Sequence, residues 1–246
     1  MSTMTKIGEM PYLNSEIFYL NKIPHFRYQK YTPKKMGIAI KEKAINSGPI
    51  SLIDFFNLEN LELLDNYCVA TKKSANSVFV FSQKKLKDIT NVSVTSQTST
   101  SVILLKVLNN FFWKNKNLKI KSNAFKTDSR LIIGDDALAE SNTSKNYNYK
   151  YDLGLEWHKN TGMPFVFAVW AYNILEENDL INLSNSINKG LNNYDESLKY
   201  IVKNNKKPYM SEKNIFDYIN GFSYRIGNPE EKAINIFKEM YNEIED

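Results

Sequence analysis

Cysteine and histidine are almost absent from this sequence of 246 residues. The one cysteine, Cys68, excludes a disulfide framework and a cysteine-based zinc site. The two histidines, His25 and His158, lie far apart, which excludes a metal site of the His-Glu-x-x-His type. A glycine-rich nucleotide-binding motif is also missing. The sequence therefore offers no recognisable site for a resident metal ion or a bound nucleotide.

Long hydrophobic runs are missing as well. The longest, Met163 to Tyr172, is shorter than the ~18 apolar residues of a membrane helix and predicts a buried strand instead. The first ten residues include Lys6 and Glu9 and lack the apolar segment of a signal peptide. We therefore expect a protein of the cytoplasm that has no membrane partner.

Arginine is scarce, although the chain is basic. Of the 32 basic residues only Arg27, Arg130 and Arg225 are arginines, and the 27 acidic residues leave a net charge of +5. The lysines are scattered rather than clustered, so we expect no nucleic-acid partner. The charge favours anionic small molecules only slightly. Hydrophobic residues at 42% and charged residues at 24% are typical of a folded globular chain.

Short apolar strands alternate with helical segments, and mostly helical segments follow. This order predicts an α/β fold, and two α/β lobes would hold a ligand in the cleft between them. Strand-like segments at Val78–Phe81 and Phe165–Trp170 are the candidate crossings between the lobes. We expect lobe 1 to comprise residues 1–84, with the helical tail 172–246 returning to it, and lobe 2 to comprise residues 85–171.

A run of hydroxyl side chains precedes one apolar helix. The run ends in Thr98, Ser99, Thr100 and Ser101, and the apolar residues that follow have helical spacing. A helix start of this kind can bind a carboxylate through free N–H groups and hydroxyls. Simple capping of the helix explains the same residues, and the pattern alone leaves both interpretations open.

Several polar residues occupy predicted strand-to-helix junctions. Asn14 and Ser51 each stand where a strand gives way to a helix, and Gly134 and Asp135 follow the strand that ends at Ile133. Asn14 and Ser51 could be helix caps, and Asp135 could bind backbone N–H groups at a helix start or hinge. We predict that Asn14, Ser51 and the Thr98–Ser101 run meet at the cleft.

Motifs along the chain resemble the menaquinone-biosynthesis family of the futalosine pathway, and within it the chorismate dehydratases. The resemblance is carried by Tyr12–Asn14, Gly48–Phe55, Ser96–Val102, Ile133–Leu138, Tyr151–Gly154, Trp157 and Thr161–Trp170. It implies the two-lobed fold of type II periplasmic binding proteins, used in the cytoplasm as an enzyme. It also implies dehydration of chorismate to 3-[(1-carboxyvinyl)oxy]benzoate without a metal or an organic cofactor.

The resemblance also implies roles for individual residues. Asn14 and Ser51 would act on the leaving hydroxyl and the ring, while Gly134 and the Thr98–Ser101 run would bind the dicarboxylate substrate. The base would be the enolpyruvyl carboxylate of the substrate itself, with Asp135 as the protein alternative. A solute-binding or sensor protein of the same fold, or a sister enzyme acting on another carboxylated metabolite, stays open beside this interpretation.

Overall fold

The computed structural model describes residues 4–94, 99–122 and 127–245. Within these ranges the strands form two sheets. The first sheet contains six strands in the order β11-β4-β10-β3-β1-β2. Their bounds are β1 Lys6–Glu9, β2 Arg27–Lys30, β3 Ser47–Ser51, β4 Glu62–Thr71, β10 Phe165–Tyr172 and β11 Phe222–Arg225.

The second sheet contains five strands in the order β7-β6-β8-β5-β9. Their bounds are β5 Val78–Ser82, β6 Asn91–Val94, β7 Lys119–Ser122, β8 Ser129–Ile133 and β9 Tyr149–Asp152. Parallel and antiparallel pairs occur in both sheets, as when β6 pairs in parallel with β8 while β5 runs antiparallel to it. The predicted α/β class is confirmed.

Helices pack around the two sheets. A 3₁₀ helix spans Leu13–Tyr19, and a π-helical turn, Leu108–Trp113, continues the third α-helix. The α-helices are α1 Pro33–Lys41, α2 Leu52–Asn57, α3 Thr100–Val107, α4 Gly134–Thr143, α5 Leu153–Thr161, α6 Glu177–Asn192, α7 Tyr194–Asn204, α8 Glu212–Asn220 and α9 Asn228–Glu245. No helix in the described part of the chain is both long enough and apolar enough to span a membrane.

The central strands consist of buried apolar residues, as their sequences predict. All five residues of β3 and of β5 are buried. Strand β10 lies between β3 and β4 and carries the buried Phe165 and Trp170. Burial on both faces accounts for the nearly continuous apolar sequence of β10. The polar residues of the junctions follow the ends of these buried strands.

The sheet to which each strand belongs favours other lobe limits than those expected. Val78–Ser82 was expected in lobe 1 but lies in the second sheet, and Phe165–Trp170 was expected in lobe 2 but lies in the first. An apolar strand pattern does not reveal which sheet the strand joins, because either sheet buries it equally well. From the sheets we propose that the chain crosses between lobes within 72–77 and again within 162–164.

The C-terminal part of the chain packs against the first sheet. It contains helices α6 to α9, as expected of a helical tail, and also strand β11. That strand pairs antiparallel with β4, with Phe222 opposite Thr71. The tail therefore completes one edge of the first sheet rather than forming a separate helical layer.

One buried carboxylate holds the first crossing in place. Asp152 ends β9 and caps α5, since it accepts a hydrogen bond of 3.0 Å from the Leu155 N–H. It also accepts hydrogen bonds from the backbone N–H groups of Ala75, at 3.0 Å, and Asn76, at 2.7 Å. Gly154 lies so close to this segment that a Cβ there would be 2.9 Å from the Ala75 nitrogen. The Tyr-Asp-Leu-Gly sequence is thus a structural motif of the crossing.

Replacing this carboxylate should destabilise the fold. Asp152→Ala leaves three backbone N–H groups without their acceptor, two of them in the crossing. We expect the free energy of unfolding to fall by about 3 kcal/mol, because buried donors lose charged partners. Urea denaturation of both proteins measures this difference.

Asp128→Ala is the matched control. Asp128 forms a 2.5 Å ion pair with Lys84, and its side chain is 53% exposed. Exposed ion pairs contribute about 0–1 kcal/mol, so this variant should unfold close to the unmodified protein. Equal losses in the two variants would contradict the role given to Asp152.

Candidate active site

A cavity lies between the two sheets and takes residues from both lobes. It contains about 620 Å³ of space, counting the part that opens to solvent. Its apolar walls include Met10, Val69, Val78, Ile133, Phe167 and Phe222. Its polar side chains are uncharged: Tyr12, Asn14, Ser15, Ser51, Ser77, Thr100 and Ser101. A mostly apolar cleft with a few convergent polar groups is the usual form of a small-molecule site.

The structure brings most of the sequence-predicted residues together. Asn14, Ser51, Thr100, Ser101 and Gly134 all line this cavity, although they are far apart in sequence. Thr98 lies outside the described residues. Ser99 and Asp135 belong to the same neighbourhood but do not line the cavity in the described structure. Five residues from four separate segments therefore converge at the cleft, while two of the predicted residues make other contacts.

Asn14 belongs to the 3₁₀ helix that follows β1, and it does not cap that helix. The residue at the cap position is Tyr12. The Asn14 side-chain oxygen accepts a hydrogen bond of 3.1 Å from the Ser15 hydroxyl. Its amide group remains available to the cavity that it lines. An amide donor at this position can bind a hydroxyl or carboxylate oxygen of a ligand.

Ser51 both caps a helix and lines the cavity. Its Oγ accepts a 3.1 Å hydrogen bond from the backbone N–H of Asp54, which is the expected capping bond of α2. The same hydroxyl donates to Asp54 Oδ2 at 2.7 Å. The capping interpretation and the cavity interpretation of Ser51 therefore both hold, because the hydroxyl has more than one bonding direction.

Helix α3 begins directly at the cavity. Its first residue, Thr100, accepts a 3.2 Å hydrogen bond on Oγ1 from the backbone N–H of Ile53 in α2. Ser99 stands at the cap position without a side-chain capping bond, and its hydroxyl makes a long contact of 3.5 Å with Asp54 Oδ2. The start of α3 therefore meets the start of α2 beside the cavity, and a helix start favours an anion.

Gly134 begins α4 on the opposite lobe, where only glycine fits. Its φ of +65° is in the left-handed region, and a Cβ there would lie 2.6 Å from the Tyr12 ring. The Gly134 N–H donates to the Ser77 carbonyl at 2.8 Å. No side chain caps this helix, because the residue at the cap position is Ile133. The ring of Tyr12 thus crosses the cleft and rests on the start of α4.

Asp135 faces away from the cavity. Its Oδ1 accepts a 3.2 Å hydrogen bond from the backbone N–H of Leu13, and its Oδ2 forms a 2.8 Å ion pair with Lys207. It borders a separate polar cleft together with Glu9, Glu16 and Lys22. This geometry matches the helix-start interpretation of Asp135, and the carboxylate ties α4 to the other lobe. Asp135 stayed a candidate base because the sequence does not show which way the first turn of α4 faces.

Tyr12 is a site residue to which the sequence analysis gave no role. Tyr12 lines the cavity, and its hydroxyl is buried and has no hydrogen-bond partner among the described residues. Burial, together with the charges of Asp136 and Asp135, raises the pKa of Tyr12 to about 12, so the hydroxyl keeps its proton at neutral pH. A buried donor without a partner is unfavourable unless a ligand completes it. The Tyr-Leu-Asn motif was the available signal.

Asp54 is the second residue without a predicted role. It lies behind Ser51 and is half-buried. Burial raises the pKa of its carboxyl, and the hydrogen bonds from Ser51 and Ser99 and the charge of Lys34 lower it by less. The Ser-x-x-Asp spacing, typical of a capping box, was the signal for this pair.

Cys68, by contrast, is structural, as its apolar neighbours predict. The thiol is buried within β4, where burial raises its pKa well above the ordinary range. Within the described ranges, no group of three or more histidine, cysteine, aspartate or glutamate side chains is placed to hold a metal ion.

The contact between Gly134 and Tyr12 can be tested by adding one methyl group. Gly134→Ala should destabilise the protein by more than the ~1 kcal/mol that a left-handed residue costs, because the new Cβ also collides with the Tyr12 ring. Gly162→Ala is the matched control, since Gly162 has a φ of +72° and no atom lies within 4 Å of the place that its methyl group would take. Urea denaturation of both variants gives the difference, and equal losses would contradict the contact.

Comparison with known proteins identifies related sequences and folds. A family model described as menaquinone biosynthesis matches residues 5–243. The chorismate dehydratase of Thermus thermophilus is 29% identical over 132 residues, which are 46% of this chain and 49% of that protein. The match therefore spans about half the length of this relative.

Solved structures share the fold across nearly the whole chain. Protein AF1704 of Archaeoglobus fulgidus superimposes with a TM-score of 0.73 at 13% identity, covering 100% of this chain and 99% of the other. The Candida albicans CA3427 gene product, which has the generic periplasmic-binding-protein fold, gives a TM-score of 0.63 at 13% identity over 98% and 89%. These matches confirm the predicted periplasmic-binding-protein-like architecture.

Proposed function

Because this chain belongs to the menaquinone-biosynthesis family, we propose that it is a lyase that dehydrates chorismate to 3-[(1-carboxyvinyl)oxy]benzoate. The related Thermus thermophilus protein is a chorismate dehydratase, which supports this choice of substrate. The observation that carries the proposal is the interlobe cavity lined by Asn14, Ser51, Thr100, Ser101 and Gly134. We place the reaction in the cytoplasm, since the family is biosynthetic, and we assign it no metal or organic cofactor.

The dicarboxylate substrate is held, in this proposal, by neutral donors. The starts of α3 and α4 both reach the cavity, one from each side of the cleft. Each helix start presents backbone N–H groups and a partial positive charge, which together bind a carboxylate. Thr100 and Ser101 hold one carboxylate of chorismate, and the start of α4 at Gly134 receives the other.

The reaction removes a ring proton and the neighbouring hydroxyl. The proton leaves the carbon that bears the enolpyruvyl ether, and the resulting anion delocalises toward the ring carboxylate. Loss of the hydroxyl then makes the ring aromatic, which drives the step. The described side chains that line the cavity include no carboxylate and no imidazole. We therefore assign the proton to the enolpyruvyl carboxylate of the substrate, which lies next to the reacting carbon.

Three protein groups act on the developing charge and the leaving hydroxyl. Asn14 and Ser51 donate hydrogen bonds from one lobe, and the buried hydroxyl of Tyr12 is completed when substrate fills the cavity. Preorganised donors of this kind stabilise a transition state strongly in a site that excludes water. Asp135 supports the site from outside through Leu13 and Lys207.

Three substitutions separate a base supplied by the substrate from one supplied by the protein. Asn14→Ala and Ser51→Ala should each lower kcat/KM on chorismate by about 10²-fold, because each removes a preorganised donor. Asp135→Asn should keep most of the activity, since its side chain can still accept from Leu13. Product formation followed by mass gives the rates. A collapse confined to Asp135→Asn would make Asp135 the base, and no turnover by the unmodified protein would refute the dehydratase proposal.

Tyr12 gives a prediction in which stability and activity move in opposite directions. Tyr12→Phe removes a buried hydroxyl that has no protein partner in the described structure, so the free energy of unfolding should stay equal or rise. The activity on chorismate should fall roughly 10- to 100-fold, because the ligand loses one hydrogen bond. Urea denaturation and steady-state kinetics measure the two effects.

Tyr224→Phe is the control for this experiment. The Tyr224 hydroxyl is also buried without a partner in the described chain, but Tyr224 does not line the cavity. Its removal should affect stability in the same direction and leave the activity unchanged. If Tyr12→Phe also left the activity unchanged, its hydroxyl would have no role in the reaction. Binding of chorismate without turnover by the unmodified protein would favour a solute-binding function of this fold.

A further inference from the structure

The hydroxyl of Ser51 is shared between the cavity and Asp54. Ser51 Oγ accepts from the Asp54 backbone N–H at 3.1 Å and lies 2.7 Å from Asp54 Oδ2. A serine hydroxyl has one hydrogen and two acceptor positions. When Asp54 is ionised, the carboxylate takes the only hydrogen of Ser51. In that state Ser51 can accept a hydrogen bond from a ligand but cannot donate one.

Protonation of Asp54 reverses this direction. A protonated carboxyl donates to Ser51 Oγ, which then accepts from both the backbone and the side chain of Asp54. Both acceptor positions of Ser51 are filled, and its hydrogen is free to point into the cavity that Ser51 lines. The protonation state of Asp54 therefore decides whether Ser51 donates to a ligand.

The surroundings of Asp54 raise the pKa of its carboxyl. The carboxyl is half-buried against α1, where Gly37 leaves room for it: a Cβ on Gly37 would lie 2.5 Å from Asp54 Oδ2. Burial raises the pKa of Asp54. The groups that lower it are the hydroxyls of Ser51 and Ser99, from α2 and α3, and the charge of Lys34 on α1. Lys34 is the one cation among these groups, and its side chain is exposed.

We propose that Asp54 acts through Ser51 as the source of the proton that the leaving hydroxyl takes, an inference that rests on the proposed dehydration of chorismate. Ser51 is the catalytic residue that touches the substrate, and Asp54 is the positioning residue behind it. The proton passes from Asp54 to Ser51 and from Ser51 to the substrate oxygen. Only side chains at the junction of β3 and α2 take part in this transfer.

Atoms and charge balance in this step. The ring carbon–oxygen bond breaks and its electron pair stays on the oxygen, while the electron pair of the ring anion completes the aromatic ring. The departing oxygen takes the Ser51 proton and leaves as water, and Ser51 takes the proton of Asp54. Asp54 remains as a carboxylate and recovers a proton from solvent after product leaves. The ring proton, held by the enolpyruvyl carboxylate, returns to solvent with the product.

Helix capping alone does not explain the arrangement. In a capping box the side chain three residues after the cap reaches back to the backbone N–H of the cap residue. Here Asp54 Oδ2 is bonded to the side chain of Ser51 and contacts that of Ser99. The cap of α2 needs only the Asp54 backbone N–H, which every residue but proline supplies. The carboxyl itself is therefore available for another purpose.

The dependence of kcat on pH tests the inference. The unmodified protein should lose activity on chorismate at high pH as Asp54 ionises, and Asp54→Asn should not show this loss. Near neutral pH the variant should be slower by about 10²- to 10⁴-fold, the usual contribution of a proton donor. Asparagine keeps the backbone cap and a side-chain partner for Ser51, so urea denaturation should show a fold of similar stability.

A second pair of variants leaves Asp54 in place. A nearby cation lowers the pKa of a carboxyl, so Lys34→Gln should raise the pKa of Asp54 and move the high-pH loss of activity upward. Lys35→Gln is the control on the same exposed surface of α1 and should leave the profile unchanged. This pair decides the question even where Asp54→Asn does not fold.

Each outcome separates this inference from the proposed function. If the unmodified protein turns over chorismate and Asp54→Asn has the same rate and pH profile, Asp54 has no role in the reaction. The dehydratase proposal would still stand. A high-pH loss that stays in place in Lys34→Gln would also overturn the role of Asp54. No turnover of chorismate by the unmodified protein would overturn both together. The inference would be supported if Asp54→Asn no longer lost activity at high pH and if, in Lys34→Gln, this loss occurred at a higher pH.

Discussion

The contact between the Tyr12 ring and Gly134 sets the distance between the two lobes at the candidate site. Tyr12 comes from the segment after β1, and Gly134 begins α4 on the second lobe. Because a Cβ at Gly134 would lie 2.6 Å from the ring, no other residue allows this approach without displacement. Asp135 fastens the same helix start to Leu13 and Lys207 on the first lobe. The cavity depends on these contacts, because its wall contains residues of both lobes.

The cavity is suited to an anionic ligand although the described part of its lining carries no charge. A lysine in the lining would stabilise the ionised substrate before and during reaction alike, which improves binding without accelerating the chemical step. Hydroxyls, an amide and helix starts instead provide donors with fixed directions. In the proposed reaction, such donors favour the state in which charge has moved onto the ring carboxylate or the leaving oxygen. A dehydratase must stabilise the transition state more than the bound substrate. A binding protein that shares its fold has only to stabilise the bound ligand.

Sequence reasoning found the junctions but not their orientation. Asn14, Ser51, Thr100 and Ser101 were expected at the cleft because each places an amide or hydroxyl group at a predicted strand-to-helix junction, and Gly134 was implied by the family resemblance. The role of Asp135 stayed open because adjacent residues in a helix point about 100° apart, and the direction depends on the opposite lobe. The lobe limits were displaced for a related reason: an apolar strand fits either sheet. Asp54 and Tyr12 lie in motifs visible in the sequence, but the contacts that make them site residues form only on folding.

The starts of the helices separate structural from functional positions. Side chains cap α2, α5 and α8 through Ser51, Asp152 and Ser211, whereas α3 and α4 have no side-chain cap. The starts of α6 and α7 also lack such a cap, so its absence is not distinctive by itself. What distinguishes α3 and α4 is that their first residues line the cavity. A carboxylate bound there would lie close to the positive end of each helix and away from open solvent, so it would be stabilised more than at an exposed helix start.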